Sequence, residues 1–141
     1  MRIGWKQTYE TGISKIDEQH RRLFDMVNEL LDQKTRSYNE RQIFSLLNGL
    51  VKYAEEHFAT EEKYLSYFKY PKFEEHTRQH LAFLQEITKF AQKLEDHQAN
   101  VFPQMLEFLK RWYFTHIGES DRLYVEYFVK HKLIHPAQEL L

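Results

Sequence analysis

Eight histidines stand in a chain of 141 residues that contains no cysteine. Two segments place donor side chains four residues apart: His57-Phe58-Ala59-Thr60-Glu61 and His76-Thr77-Arg78-Gln79-His80. On a helix such a pair shares one face at roughly 6 Å, close enough to chelate a cation. The lack of cysteine removes disulfides, zinc–thiolate sites, iron–sulfur clusters and thiol nucleophiles together, so any metal must be held by nitrogen and oxygen. A zinc protease needs glutamate directly after the first histidine of HxxxH, and Thr77 stands there.

Phase sharpens the spacing. His20, His57, Glu61, His76, His80 and His116 each fall on the apolar stripe of their own helical segment, where leucine or phenylalanine is expected. A buried imidazole or carboxylate without partners costs about 1–3 kcal/mol. No lysine or arginine lies on these stripes to neutralise Glu61. A metal would supply the positive charge and take up the nitrogen lone pairs. Asp121 lies five residues after His116, about 140° around a regular helix, so both reach one site only where the backbone departs from α-helix. Gly118, between them, permits that departure. Five imidazoles, one glutamate and this aspartate exceed the four ligands of a closed zinc site and suit two metals sharing carboxylates. Imidazole and carboxylate suit iron, manganese, copper or zinc, and a histidine-rich dinuclear site with an open position favours iron. The Glu-x-x-His pairs of ferritin-like di-iron proteins are absent, although Asp17 precedes His20 by three.

The elements that must position these groups read as helices. Residues 1–16 lack a sustained period and are expected to form an arm packed across the domain. Asp17 is the expected start of the first helix, its carboxylate capping free amides, with the stripe His20, Leu23, Phe24, Val27, Leu30 and Leu31 running to about Lys34. After a polar link, Thr35 to Asn39, a second helix spans about Glu40 to Tyr67 and ends at Tyr70-Pro71. Pro71 fits the first turn of a third helix, which carries Phe73, His76, His80, Phe83, Ile87, Phe90, Ala91 and Leu94. Glu95 to Asn100 links it to a fourth, with Val101, Met105, Phe108, Leu109, Trp112 and His116. An amphipathic segment from Leu123 to about Leu133 follows, and His135-Pro136 begins a tail. The expected fold is all-α: an up-down-up-down antiparallel four-helix bundle (17–121) with an N-terminal arm (1–16) and a short C-terminal helical segment and tail (122–141), all in one domain.

Composition narrows the function further. Twenty basic against 21 acidic residues give a net charge of -1, which offers no field for nucleic acid or an acidic membrane. No apolar run nears the roughly 20 residues that span a bilayer, and the opening residues lack a signal-peptide core, so the expected location is cytoplasmic. His97, His131 and His135 lie off the stripes and are expected at the surface.

Ile16-Asp17-Glu18-Gln19-His20, the two i, i+4 pairs and His116-Ile117-Gly118-Glu119-Ser120-Asp121 together resemble the hemerythrin family, in particular its bacterial branch. Gly4-Trp5, Tyr9 and Gly12-Ile13 add to the resemblance, which covers about Trp5 to Tyr124. It implies two iron ions with an oxo or hydroxo bridge. His76, His80 and His116 would bind one iron, His20 and His57 the other, and Glu61 and Asp121 would bridge them. It implies reversible, non-enzymatic dioxygen binding at the two-histidine iron, for storage, transport or delivery. Leu23, Phe58, Trp112 and Ile117 resemble the family's apolar oxygen pocket and would also serve as ordinary core. Tyr124, three residues after Asp121, is expected to be an ordinary packed tyrosine, the alternatives being that it positions this segment or hydrogen-bonds near the site. The alternatives are a sensor of oxygen or iron acting through a partner, and a di-iron peroxidase or nitric-oxide-handling protein. Expected partners are dioxygen and an oxygen-consuming enzyme or signalling protein, and the expected state is a monomer.

Overall fold

The computed structural model describes residues 3–33 and 39–140. A 3₁₀ turn, Gln7–Tyr9, precedes helices α1 (Ser14–Asp32), α2 (Glu40–Tyr67), α3 (Phe73–Glu95) and α4 (Val101–Thr115). A π-helical turn, His116–Ser120, joins α4 to α5 (Asp121–Lys130), and α6 (Ile134–Leu140) follows. Helix α1 packs on α2, α2 on α3, α3 on α4, and α4 closes back on α1, giving the expected four-helix bundle.

Several local expectations are corrected. Helix α1 begins at Ser14, three residues before Asp17. Its opening amide donates from Ser14 to Gln138 Oε1 at 2.7 Å, so α6 supplies a cap that nothing near residue 14 could reveal. Asp17 does not cap: its carboxylate reaches backward, accepting from Thr11 N and Oγ1 at 2.8 Å and Gly12 N at 3.2 Å. The carboxylate thereby fixes the arm, whose chain reversal uses Gly12 at φ +85°. Helix α2 keeps its expected limits and is capped by Asn39, which accepts from Gln42 N at 3.2 Å. The rest of the expected 35–39 link lies outside the described residues.

Pro71 stands in the turn ahead of α3 rather than within its first turn. Helix α2 closes with Lys69 in the left-handed region (φ 56°), where Tyr70 N reaches Leu65 O at 2.9 Å. The residues after His135 are helical rather than a tail. The amphipathic segment expected over 123–133 is α5, starting at Asp121, and Lys132 (φ 57°) separates it from α6.

The core is two apolar clusters with a polar layer between them. Following each helix shows the same interruption. His20 lies between Ile16 of one cluster and Leu23 of the other; His57 and Glu61 lie between Ala54 on one side and Tyr64 and Leu65 on the other. The π turn likewise separates Tyr113 from Tyr124. Apolar burial on both sides, at about 25 cal/mol per Å², stabilises the layer's position. Among the described residues, no helix is long and apolar enough to cross a membrane.

Candidate metal centre

All seven polar residues singled out above meet in that layer. His20, His57, Glu61, His76, His80, His116 and Asp121 are each at most 3% exposed. Their donor atoms form two groups that share Glu61: Glu61, His76, His80 and His116, and His20, His57, Glu61 and Asp121.

Each carboxylate turns one oxygen toward each set of histidines. Glu61 Oε1 lies 2.6 Å from His76 Nε2, 2.9 Å from His80 Nε2 and 3.7 Å from His116 Nε2. Its other oxygen, Oε2, lies 3.5 Å from His20 Nε2 and 3.4 Å from His57 Nε2. Asp121 repeats the pattern, with Oδ1 at 3.0 Å from His76 Nε2 and 3.1 Å from His116 Nε2, and Oδ2 at 3.1 Å from His20 Nε2. Two carboxylates arranged in this way could be shared by two cations.

The π turn makes the second carboxylate available. Its i→i+5 ladder brings residues five apart nearly into line, so Asp121 joins His116 instead of pointing to another neighbour. The backbone departure expected around Gly118 is therefore present.

Three imidazoles are held from behind. His57 Nδ1 donates to Gln19 Oε1 at 2.8 Å, His80 Nδ1 to Glu62 Oε2 at 2.7 Å, and His116 Nδ1 to Gln79 Oε1 at 2.8 Å. A proton fixed on Nδ1 leaves the Nε2 lone pair facing the centre, as metal-ligating histidines require. Gln19, Glu62 and Gln79 escaped sequence reasoning, although each is adjacent to a ligand candidate in the chain. Tyr124 contributes from the opposite side, its hydroxyl donating to Glu61 Oε2 at 2.9 Å.

The metal-free electrostatics show what the cluster lacks. Burial pushes the His20 imidazole down, but Asp121 and Glu61 overcome it and hold it up at about 9. Burial is likewise overcome at His76, where Glu61 and Asp121 hold the ring up at about 10. His116 is raised against burial by Asp121, whereas burial lowers His57. Burial would raise Glu61, but His76 and His116 hold it well below the usual carboxylate range; at Asp121, burial and Glu61 are overcome by His116 and His20. Protons therefore provide the cationic charge that two carboxylates demand.

Hydrogen bonding does not complete the cluster. His20 Nδ1 and Nε2, His57 Nε2 and both oxygens of Asp121 are buried without a hydrogen-bond partner. His20 Nε2 and Asp121 Oδ2 approach to 3.1 Å without the geometry of a hydrogen bond. Such buried, unpartnered polar atoms, in an all-nitrogen and oxygen donor set, fit a pair of cations.

Phe58 stacks on His80 with centroids 4.0 Å apart, and Trp112 stacks on His116 at 4.5 Å. Both also line an apolar cavity of about 10 Å³ with Leu23, Val27, Leu50, Ala54, Phe83, Leu109 and Tyr113. That is near the minimum room for one water-sized molecule. Three of the four expected pocket residues are in this wall. Ile117 is not: it is buried in the same apolar cluster but does not border the cavity. His97, His131 and His135 are exposed, as expected.

Comparison with known proteins agrees with this geometry. The family profile described as "Hemerythrin HHE cation binding domain" matches residues 11–128. A bacteriohemerythrin of Clostridium acetobutylicum is 36% identical, the match covering 86% of this chain and 98% of that protein. A myohemerythrin of Theromyzon tessulatum is 28% identical, with 85% and 88% covered. A solved crystal structure of wild-type hemerythrin superposes with a TM-score of 0.78 at 28% identity, covering 88% of this chain and 95% of that one. With a histidine and carboxylate cluster positioned to bind the di-iron centre that such proteins hold, the chain belongs to the hemerythrin family.

Proposed function

We propose that this chain binds dioxygen reversibly and non-enzymatically at a di-iron centre held by the seven clustered residues. The observation that carries the proposal is the pair of carboxylates, each directing one oxygen to each histidine set above an apolar cavity. His76, His80 and His116 would hold one iron and His20 and His57 the other, with Glu61 and Asp121 shared. A di-iron centre of this kind supplies electrons to dioxygen and recovers them on release.

The remaining work falls to the chain. Gln19, Glu62 and Gln79 fix three imidazoles in the tautomer that leaves Nε2 free. Tyr124 holds Glu61 in place. Two imidazoles on one side against three on the other leave room for a small guest on the His20 and His57 side. Leu23 and Phe58, next to these histidines in α1 and α2, keep water out of the cavity. The wall offers no carboxylate, imidazole or amine to act as acid or base on a substrate, which favours a carrier over an enzyme. Delivery to an oxygen-consuming partner or storage in the cytoplasm is the role this supports.

Iron counting tests the ligand set. The wild-type chain loaded anaerobically with ferrous iron should retain two irons per chain, and His80→Ala should retain well under two while keeping its helical circular dichroism. Two irons bound to folded His80→Ala would remove His80 from the site.

A further inference from the structure

A second concavity, lined by both the arm and the bundle, shares only Tyr113 with the lining of the metal-side cavity. Ile3, Gly4, Lys6 and Tyr9 form one wall, and Glu107, Lys110, Arg111, Tyr113 and Phe114 of α4 form the other, enclosing about 310 Å³. That is the lower end of the size range of small-molecule sites, enough for one or two fused rings.

The walls are fixed. Ile3 N donates to Asn28 Oδ1 at 2.8 Å and Asn28 Nδ2 donates to Ile3 O at 3.1 Å, with Asn28 itself 3% exposed. The arm is thus tied across α1 by a buried amide. In the floor, Tyr9 and Tyr113 meet edge to face at 6.0 Å, and the Tyr113 hydroxyl donates to His20 O at 3.3 Å. Tyr9 is seated against the π turn, its Cε1 3.4 Å from where a Cβ on Gly118 would stand. A preformed site of this sort loses little entropy when it is filled.

The chemistry of the lining is one-sided. Lys6 and Arg111 stand against one anion, Glu107, in a chain whose total charge is -1. The aromatic surface is partly open: Phe114 is 53% exposed, and Lys6 Nζ lies 4.9 Å from its ring centre. An apolar floor of aromatic rings under a cationic rim matches a flat ring bearing a carboxylate. We propose that this cleft is a binding site for a small aromatic carboxylate of one or two fused rings, separate from the metal centre and independent of whether that centre carries oxygen.

Titration calorimetry of the full-length, iron-loaded protein with 2-naphthoate tests this. One site per chain is expected, tighter than about 1 mM, with the neutral 2-naphthylmethanol bound about tenfold more weakly. Lys6→Glu combined with Arg111→Glu should weaken naphthoate about tenfold. A Cβ on Gly4 meets nothing within 4 Å, so Gly4→Trp adds bulk at the cleft wall without a clash at Cβ and should weaken binding. Phe114→Ala, which removes an exposed wall, should weaken binding in a chain whose circular dichroism is unchanged. Absence of binding, equal binding of the neutral compound, or binding unaffected by Gly4→Trp and Phe114→Ala would each overturn the proposal.

Discussion

Replacing Tyr124 by phenylalanine removes a single oxygen atom from the boundary between the metal layer and the second apolar cluster. That oxygen donates to Glu61 Oε2 at 2.9 Å, and both residues are fully buried. Burial, with Glu61 and Asp121 nearby, holds the phenol well above its ordinary value, so Tyr124 remains a donor across the neutral range. Glu61 remains an acceptor because His76 and His116 outweigh burial and depress it. A hydrogen bond to a charged acceptor contributes about 1.5–3 kcal/mol, and in the variant Glu61 Oε2 keeps only the longer approaches of His20 and His57. For a chain of this length the metal-free variant should therefore melt about 5–12 °C lower. The loss has a pH signature. A carboxylate depressed on folding contributes stability above its unfolded value of about 4.5 and loses it as pH falls, so variant and wild type should converge in acid. In the loaded protein the same change loosens a shared ligand and should speed iron loss to a chelator by about tenfold or more. Calorimetric melts from about pH 2 to 8, paired with chelator kinetics, measure both effects. Equal melting temperatures at pH 7 together with equal iron loss would refute a positioning role for Tyr124.

Three further outcomes follow from the same layer. His20 at about 9 and His76 at about 10 are raised on folding, so their contribution to metal-free stability is complete below about pH 6.5 and is lost as pH rises through 9 to 10. The metal-free protein should lose stability on that alkaline limb in urea titrations, and loading ferrous iron at pH 7 should release about two protons from these two rings into a weakly buffered indicator solution. Inserting an alanine after Gly118 lengthens the step from His116 to Asp121 to six residues and should carry Asp121 out of phase; helical circular dichroism should persist while bound iron falls below two per chain.

The legible part of the centre was its phase. His20, His57, Glu61, His76, His80 and His116 occupy stripe positions, and the helical period is set by local geometry that any short window shows. The five-residue step from His116 to Asp121 was readable for the same reason, as a mismatch that only a backbone irregularity resolves. Less accessible were groups whose partners come from elsewhere in the chain. Gln19, Glu62 and Gln79 look like ordinary flank residues until the neighbouring helix brings an imidazole to each. Helix α1 starts early because Gln138, 124 positions away, takes its first amide. Asp17, a good cap by type, was claimed by Thr11 and Gly12 instead. Phe58 and Trp112 line the small apolar cavity, and Ile117, beside His116, is buried in the same apolar cluster without bordering it.

The most direct measurement is a visible spectrum of the ferrous-loaded chain taken through repeated cycles of air and oxygen removal. A charge-transfer band that appears in air, vanishes when oxygen is withdrawn and returns over several cycles, at two irons per chain, is the predicted result. A single irreversible oxidation on first exposure, with no band recovered, would contradict reversible oxygen binding at this centre.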